Sequence, residues 1–313
     1  MLNTFLIILP VFLLIGLGFV AVRSKLVEAA AIPGIGKLVL FFFLPATVFT
    51  SLQQLDFARA LELNYVFGYA VASLGVLLGL FVIRLWLFGD TAAAAAIKGL
   101  GASLPNSMFI GFPILLLCLP DTATMAFVMA LLVENILTLP LALILLEYAA
   151  GRSESGTGRR VWYIVGRRIM TNPLIWAIVA GVLASLLGLR LPGVLDQTLD
   201  MLKKASGALA LLFIGMSLAT NTFRGNVHGL TGVVIGKLVL HPLLAAVLVF
   251  WVLPDFDPSL QKAVVVVAAV PMLAIYPIIG DRFGFRAFCS NTLLVATVGG
   301  MVSLTLILTL LGL

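Results

Sequence analysis

An all-α polytopic membrane protein is the fold class this sequence predicts, with ten transmembrane helices in two inverted repeats of five and broken helices at positions 4 and 9. Three observations predict it: the composition, the number of long apolar runs, and the uneven placement of basic residues. Hydrophobic residues make up 62% of the 313, charged residues 10%, and the mean hydropathy is +1.20. A soluble domain holds about 45–50% apolar and about 25% charged residues. The excess places the chain in a lipid bilayer.

Apolar runs of about 17–25 residues are the signature of spanning helices. They fall at 3–22, 35–52, 64–88, 92–117, 122–148, 172–189, 199–221, 227–253, 260–282 and 287–312. The first run lacks a basic region before it, since Arg23 and Lys25 follow it, so it reads as a retained span and not as a cleavable signal. The longest polar interruption, 151–171, carries five arginines and divides the chain into a first repeat, 1–150, and a second, 172–313, joined by a cytoplasmic linker.

Orientation follows from the basic residues. Loops after odd-numbered runs hold Arg23, Lys25, Lys37, Arg84, Lys98, Arg152, Arg159, Arg160, Arg167, Arg168, Arg224, Arg282 and Arg286. Loops after even-numbered runs hold Arg59, Arg190, Lys203, Lys204 and Lys262. Thirteen against five puts the odd loops in the cytoplasm and both termini outside the cell (inner) membrane. The net charge of +6 is thus spent on topology, and no nucleic-acid partner is expected. Five spans per group make the groups enter the membrane from opposite sides, which is the geometry of an inverted repeat.

The fourth run is interrupted by Pro105, Asn106, Ser107, Gly111 and Pro113, and the ninth by Pro271 and Pro277. Proline removes an amide donor and clashes with the preceding turn. A helix broken at membrane depth is tolerated where it is buried in protein or lines a cavity. Two interrupted segments at corresponding places in two halves point to a transporter's binding site. Lys98 precedes Pro113 by the same spacing as Lys262 precedes Pro277, which pairs the two breaks. Pro113 and Pro277 suit the first turn of a half-helix, where a missing amide costs nothing. Bare half-helix N-termini favour a carboxylate. Ser103, Pro105, Asn106, Ser107 and Pro113 from one break, with Pro271, Tyr276 and Pro277 from the other, are the expected substrate-binding residues.

Other polar residues lie at depth. Glu134 and Asn135 interrupt the fifth run, and an intramembrane carboxylate marks either an ion-coupling group or a structural hydrogen bond. Lys237 and His241 share a helix face, with three readings open: pairing with Glu134, reading an anion, or Lys237 reaching back to the interface. Asp281 and Arg282 read as an interfacial pair. Thr47 and Thr50, beside Pro45, either line a cavity or bond their own helix carbonyls. Gly207 and Gly215 suggest close helix packing. Cys118 and Cys289 are too few for a disulfide framework or a metal site, and no cofactor is expected. An intramembrane enzyme lacks its residues here: the histidines are His228 and His241 alone, and Ser103 and Ser217 have no evident base. An anion channel or membrane sensor sharing the broken helices is the alternative to a carrier.

Leu-Pro-Asn-Ser-Met-Phe-Ile-Gly-Phe-Pro-Ile-Leu at 104–115 resembles the fourth-span motif of the auxin efflux carrier family, which includes plant PIN proteins and bacterial malonate-type carriers. The segments at 8–19, 43–46, 237–242 and 280–284 are similar to the same family. The resemblance implies a bile-acid-transporter-like fold, with a scaffold and a transport domain each drawn from both repeats and moving as an elevator. It also implies a homodimer, a site at the crossing of helices 4 and 9, Asn106 on a substrate carboxylate, and Pro113 and Pro277 at the crossover. The short linker at 151–171 makes the chain more similar to the compact bacterial carriers than to the plant members. The expected substrate is a small organic anion, malonate-like or auxin-like, coupled to a proton, to sodium or to neither.

Overall fold

The computed structural model describes residues 2–53, 62–149, 163, 166–167, 170–189, 191–220 and 229–313. Most of the 151–171 linker, with Arg152, Arg159, Arg160 and Arg168, lies outside the described residues, as do Arg59, Arg190, Arg224 and His228. The described residues are helical apart from turns, connections and one isolated β-bridge. Among the described residues, six helices are long and apolar enough to cross a membrane, and shorter apolar helices accompany them.

In chain order the helices are α1 (Leu2–Arg23), α2 (Ala29–Gln53), α3 (Leu63–Trp86), α4 (Ala92–Ser103), α5 (Ser107–Cys118) and α6 (Ala123–Ala149). They continue as α7 (Pro173–Leu186), α8 (Gly193–Ala219), α9 (Leu230–Val252), α10 (Pro258–Ala269), α11 (Tyr276–Asp281) and α12 (Arg286–Leu310). Several starts are capped by residues the sequence supplies at the right place. Thr91 accepts from the Ala94 amide, Asn172 from Leu174, and Asp257 from Ser259 and Leu260. Pro173 and Pro258 occupy first-turn positions where no amide is needed.

Helices α1, α2, α7 and α8 pack on one another. The close approach of α1 and α8 depends on glycine: Gly18 faces the Leu212 carbonyl, and Gly215 lies directly on the Ile15 carbonyl. Gly215 therefore serves close packing. Gly207 does not, because a Cβ there meets only Pro113, at 3.9 Å. A Cβ at Gly215 would stand 2.9 Å from the Phe19 amide nitrogen and overlap the Ile15 oxygen, and backbone cannot yield as a side chain can. Gly215→Ala should therefore lower stability by at least about 3 kcal/mol, the upper end of overpacking costs. Thermal melting in detergent checks this, with Gly207→Ala as the near-neutral control. In α2, Thr47 and Thr50 donate to the Phe43 and Ala46 carbonyls at 2.9 and 2.8 Å, back-bonding within their own helix.

The remaining helices surround the two breaks. Where α3 hands over to α4, Asp90 accepts from Arg84 Nε at 2.5 Å and Lys98 Nζ at 2.8 Å. Lys98, placed in a loop by the charge count, is instead a buried residue of α4, and Lys37 likewise belongs to α2. Arg84, Lys203, Lys204 and Lys262 of the same tally also lie within helices, in α3, α8 and α10. Burial alone would raise the Asp90 carboxyl, but the hydrogen bonds and charges of Arg84 and Lys98 outweigh it and hold the group below its ordinary value. A depressed carboxyl contributes stability above its unfolded pKa and loses it as pH falls through the folded one. Asp90→Asn should accordingly destabilise the protein at neutral pH and cost progressively less below about pH 4, the ordinary carboxylate range. A melting series against pH tests this. Nearby, with Lys98 Nζ 5.5 Å from the Phe288 ring, Asp281 pairs with Arg286 at 3.5 Å and not with its neighbour Arg282 as the sequence suggested.

Candidate functional site

Helix α4 ends because Leu104, preceding a proline, is driven to extended backbone (φ −104°, ψ 109°). Val270 does the same before Pro271 (φ −64°, ψ 139°) and ends α10. The extended stretches pair as an antiparallel bridge between Pro105 and Met272. The Asn106 amide donates to the Pro271 carbonyl at 2.7 Å, and the Leu273 amide to the Leu104 carbonyl at 3.1 Å. Neither proline has an amide to offer, so the flanking residues carry both bonds. Each break thus satisfies backbone groups the other leaves bare, which is how a non-helical chain survives away from water.

Beside the bridge lies a cavity of about 280 Å³. Its polar wall is Asn106, Ser107, Glu134 and Asn135, and its apolar wall is Leu273, Ala274 and Ile275 of the second break. Leu40 and Phe41 of α2 and residues 171–173 complete it. Asn106 caps α5: its Oδ1 accepts from the Phe109 amide at 3.3 Å, which fixes which end of the side chain is oxygen. The other end, Nδ2, is buried and has no hydrogen-bond partner. A buried donor left unpaired costs about 1–3 kcal/mol. That makes Nδ2 a vacant donor on a residue that lines the cavity.

Behind this wall runs a buried polar network. Glu134 Oε1 accepts from the Tyr69 hydroxyl at 2.7 Å and from the Ser107 hydroxyl. Tyr69 stacks on His241, with ring centroids 6.1 Å apart. Lys237 Nζ donates to His241 Nδ1 at 2.8 Å and to the Ala268 carbonyl at 2.7 Å, near the broken end of α10. With Nδ1 accepting, His241 Nε2 carries the proton and donates to Ser73 Oγ at 3.2 Å. The interfacial reading of Lys237 fails, because the side chain is wholly buried. Its second partner explains why: a carbonyl freed by the break of α10 takes the cation.

The expected site residues separate into those on the cavity and those elsewhere. Pro105, Asn106, Ser107, Glu134 and Asn135 line it, Asn135 also bonding the Leu131 carbonyl. Ser103 is buried and turned to the Leu100 carbonyl. Pro271 accepts from the Asn106 amide beside the bridge and packs on Gly300. The Tyr276 hydroxyl, expected to supply polarity, donates to the Ile97 carbonyl at 3.0 Å and ties α11 to α4. Pro277 opens α11 but faces a second cavity, with Ser217, Thr220, Asp281 and Arg286. Pro113 lies in the second turn of α5, because that half-helix starts earlier, on the Asn106 cap. The crossing is therefore at Pro105 and Met272, not at Pro113 and Pro277. Tyr69 and Ser73 were missed, although Tyr65, Tyr69 and Ser73 recur every four residues on one face of α3, a polar stripe legible in the sequence.

Two interrupted helices crossing beside a cavity, within a bundle of apolar helices, define a polytopic membrane protein. The chain belongs to the membrane transport protein family, the auxin efflux carriers, whose profile matches residues 4–308. It is similar to the "Putative malonate transporter" of Rhizobium meliloti (strain 1021), 26% identical over 300 residues, covering 96% of this chain and 93% of that one. It is equally similar to the "Uncharacterized transporter YfdV" of Escherichia coli (strain K12), 26% identical over 306 residues, 94% of this chain and 93% of that one. A 22% identity over 239 residues links 72% of it to 27% of the "Lysosomal cholesterol signaling protein" of Mus musculus.

Proposed function

We propose that the chain is a secondary carrier that moves a small carboxylate, malonate-like or auxin-like, across the cell membrane, with its site in the crossing cavity. The single observation that carries this reading is the buried, unpartnered Nδ2 of Asn106, a residue that lines the cavity. A vacant donor beside the N-terminus of α5 favours an anion. The malonate named for one relative is a molecule of that class.

Alternating access by an elevator is the mechanism in this reading. Helices α3 to α6 and α9 to α12 carry the site past a frame of α1, α2, α7 and α8, so that each domain draws on both repeats. An inverted repeat is supported by one offset: the 167 positions from Pro105 to Met272, applied to α3, give 230–253, against Leu230–Val252 for α9. Helices α4 and α10 likewise share a length of 12 residues. The sequence register that matched Pro113 to Pro277 differs from this offset, so the bridge is the better guide to the symmetry. Both termini outside and a homodimer complete the proposal.

Reconstitution in proteoliposomes tests it. Saturable uptake of labelled malonate or indole-3-acetate, accelerated by the same unlabelled acid inside, is expected of a carrier. Flux that neither saturates nor exchanges would instead identify a channel.

A further inference from the structure

We propose that Glu134 is the proton-coupling group of this carrier, so that each carboxylate entering the crossing cavity is accompanied by one proton taken up by Glu134. The inference rests on the carrier reading and adds its driving force.

The argument begins from placement. Glu134 and Asn106 line the same cavity of about 280 Å³, with Ser107 between them, hydrogen-bonded to the glutamate. A substrate carboxylate drawn to the Asn106 amide therefore comes to rest close to a second carboxylate. Two carboxylates sharing a poorly hydrated site do not both stay ionised, and one takes a proton. The groups facing Glu134 decide whether it can. From α3 comes Tyr69, with Tyr65 one turn away beside it, and from α5 Ser107; behind Tyr69 stand His241 and, bonded to it, Lys237 of α9. Residues 263–269 of α10 are wholly apolar, and across the cavity Leu40, Phe41 and residues 171–173 bring no titratable group.

Lys237 is thus the cation of this region, fixed by the Ala268 carbonyl and by His241. One buried cation balances one buried anion. In the empty site that anion is Glu134, and in the loaded site it is the substrate, with Glu134 neutral. The proton arrives from the aqueous phase with the substrate and forms an O–H bond on the glutamate. Both the Tyr69 and Ser107 hydroxyls donate to Oε1. A monocarboxylate then crosses with no net charge and a dicarboxylate with one negative charge. On the far side, release of the anion frees the proton.

Calorimetry on the purified protein tests this with malonate and with indole-3-acetate, at about pH 7–8, where simple carboxylic acids are ionised. The titration is run in two buffers of different ionisation heat. The wild type should show a heat difference equivalent to close to one proton taken up per ligand. Its Kd should rise as pH increases, approaching about tenfold per unit, the limit for one linked proton. Glu134→Gln, which keeps an oxygen for Tyr69 and Ser107, should bind with no buffer dependence and a flat pH profile, and Glu134→Asp should restore the proton. Wild-type binding without buffer dependence, or a glutamine variant that still takes up a proton, overturns the coupling and leaves the carrier reading intact. Failure of both acids to bind, with no counterflow, overturns both. Should the glutamine variant not fold, the wild-type buffer comparison alone decides.

Discussion

Asn106→Ala weakens carboxylate binding about 10- to 100-fold, since a hydrogen bond to a charged group is worth about 1.5–3 kcal/mol. The loss falls on binding because Nδ2 has no partner in the protein, so its removal breaks nothing there. What the fold does lose is the cap from Oδ1 to the Phe109 amide, about 1 kcal/mol for such a group. Asn106→Asp separates the two roles. It keeps a capping oxygen while replacing the donor by a negative charge, so its melting temperature should stay near wild type while binding disappears. Calorimetry and thermal melting on the same preparations make the comparison. Equal affinities for wild type and Asn106→Ala would falsify the site.

The second large effect is on stability. Lys237→Met removes a fully buried amino group and leaves the Ala268 carbonyl and His241 Nδ1 without their donor; in the coupling proposed above it also removes the cation that balances Glu134. A buried acceptor left without its donor costs about 1–3 kcal/mol, so the two together cost about 2–6 kcal/mol. The melting temperature should fall by on the order of 10 °C, at a few degrees per kcal/mol. Adding Glu134→Gln to Lys237→Met should then recover part of the loss, since no lone charge remains. Strictly additive melting changes in this double-mutant cycle would show that the two groups do not balance each other.

The sequence disclosed much of the architecture because membrane helices announce themselves. Apolar length marks a span wherever it sits, so the runs and the described helices agree to within several residues. The breaks were equally legible, because proline at membrane depth has few structural uses. What misled was treating each proline as the break itself. Pro113 and Pro277 fit helix first turns by their chemistry, yet α5 starts on the cap that Asn106 provides, upstream of Pro113. Similarly, Lys98 was counted with the loops although it lies within the fourth apolar run, and the structure buries it in α4 against Asp90.

By itself, the chain determined that it lies in a membrane, where its helices run and which two are interrupted, because those properties belong to local composition. It also determined that Asn106 and Glu134 would be costly at that depth and so require a reason. Only the tertiary structure decided that Pro105 meets Met272, that Asn106 and Glu134 share one cavity, and that Lys237 turns inward to a carbonyl of α10. Those pairings join residues far apart along the chain, and their partners are fixed by how helices pack, which no local pattern encodes.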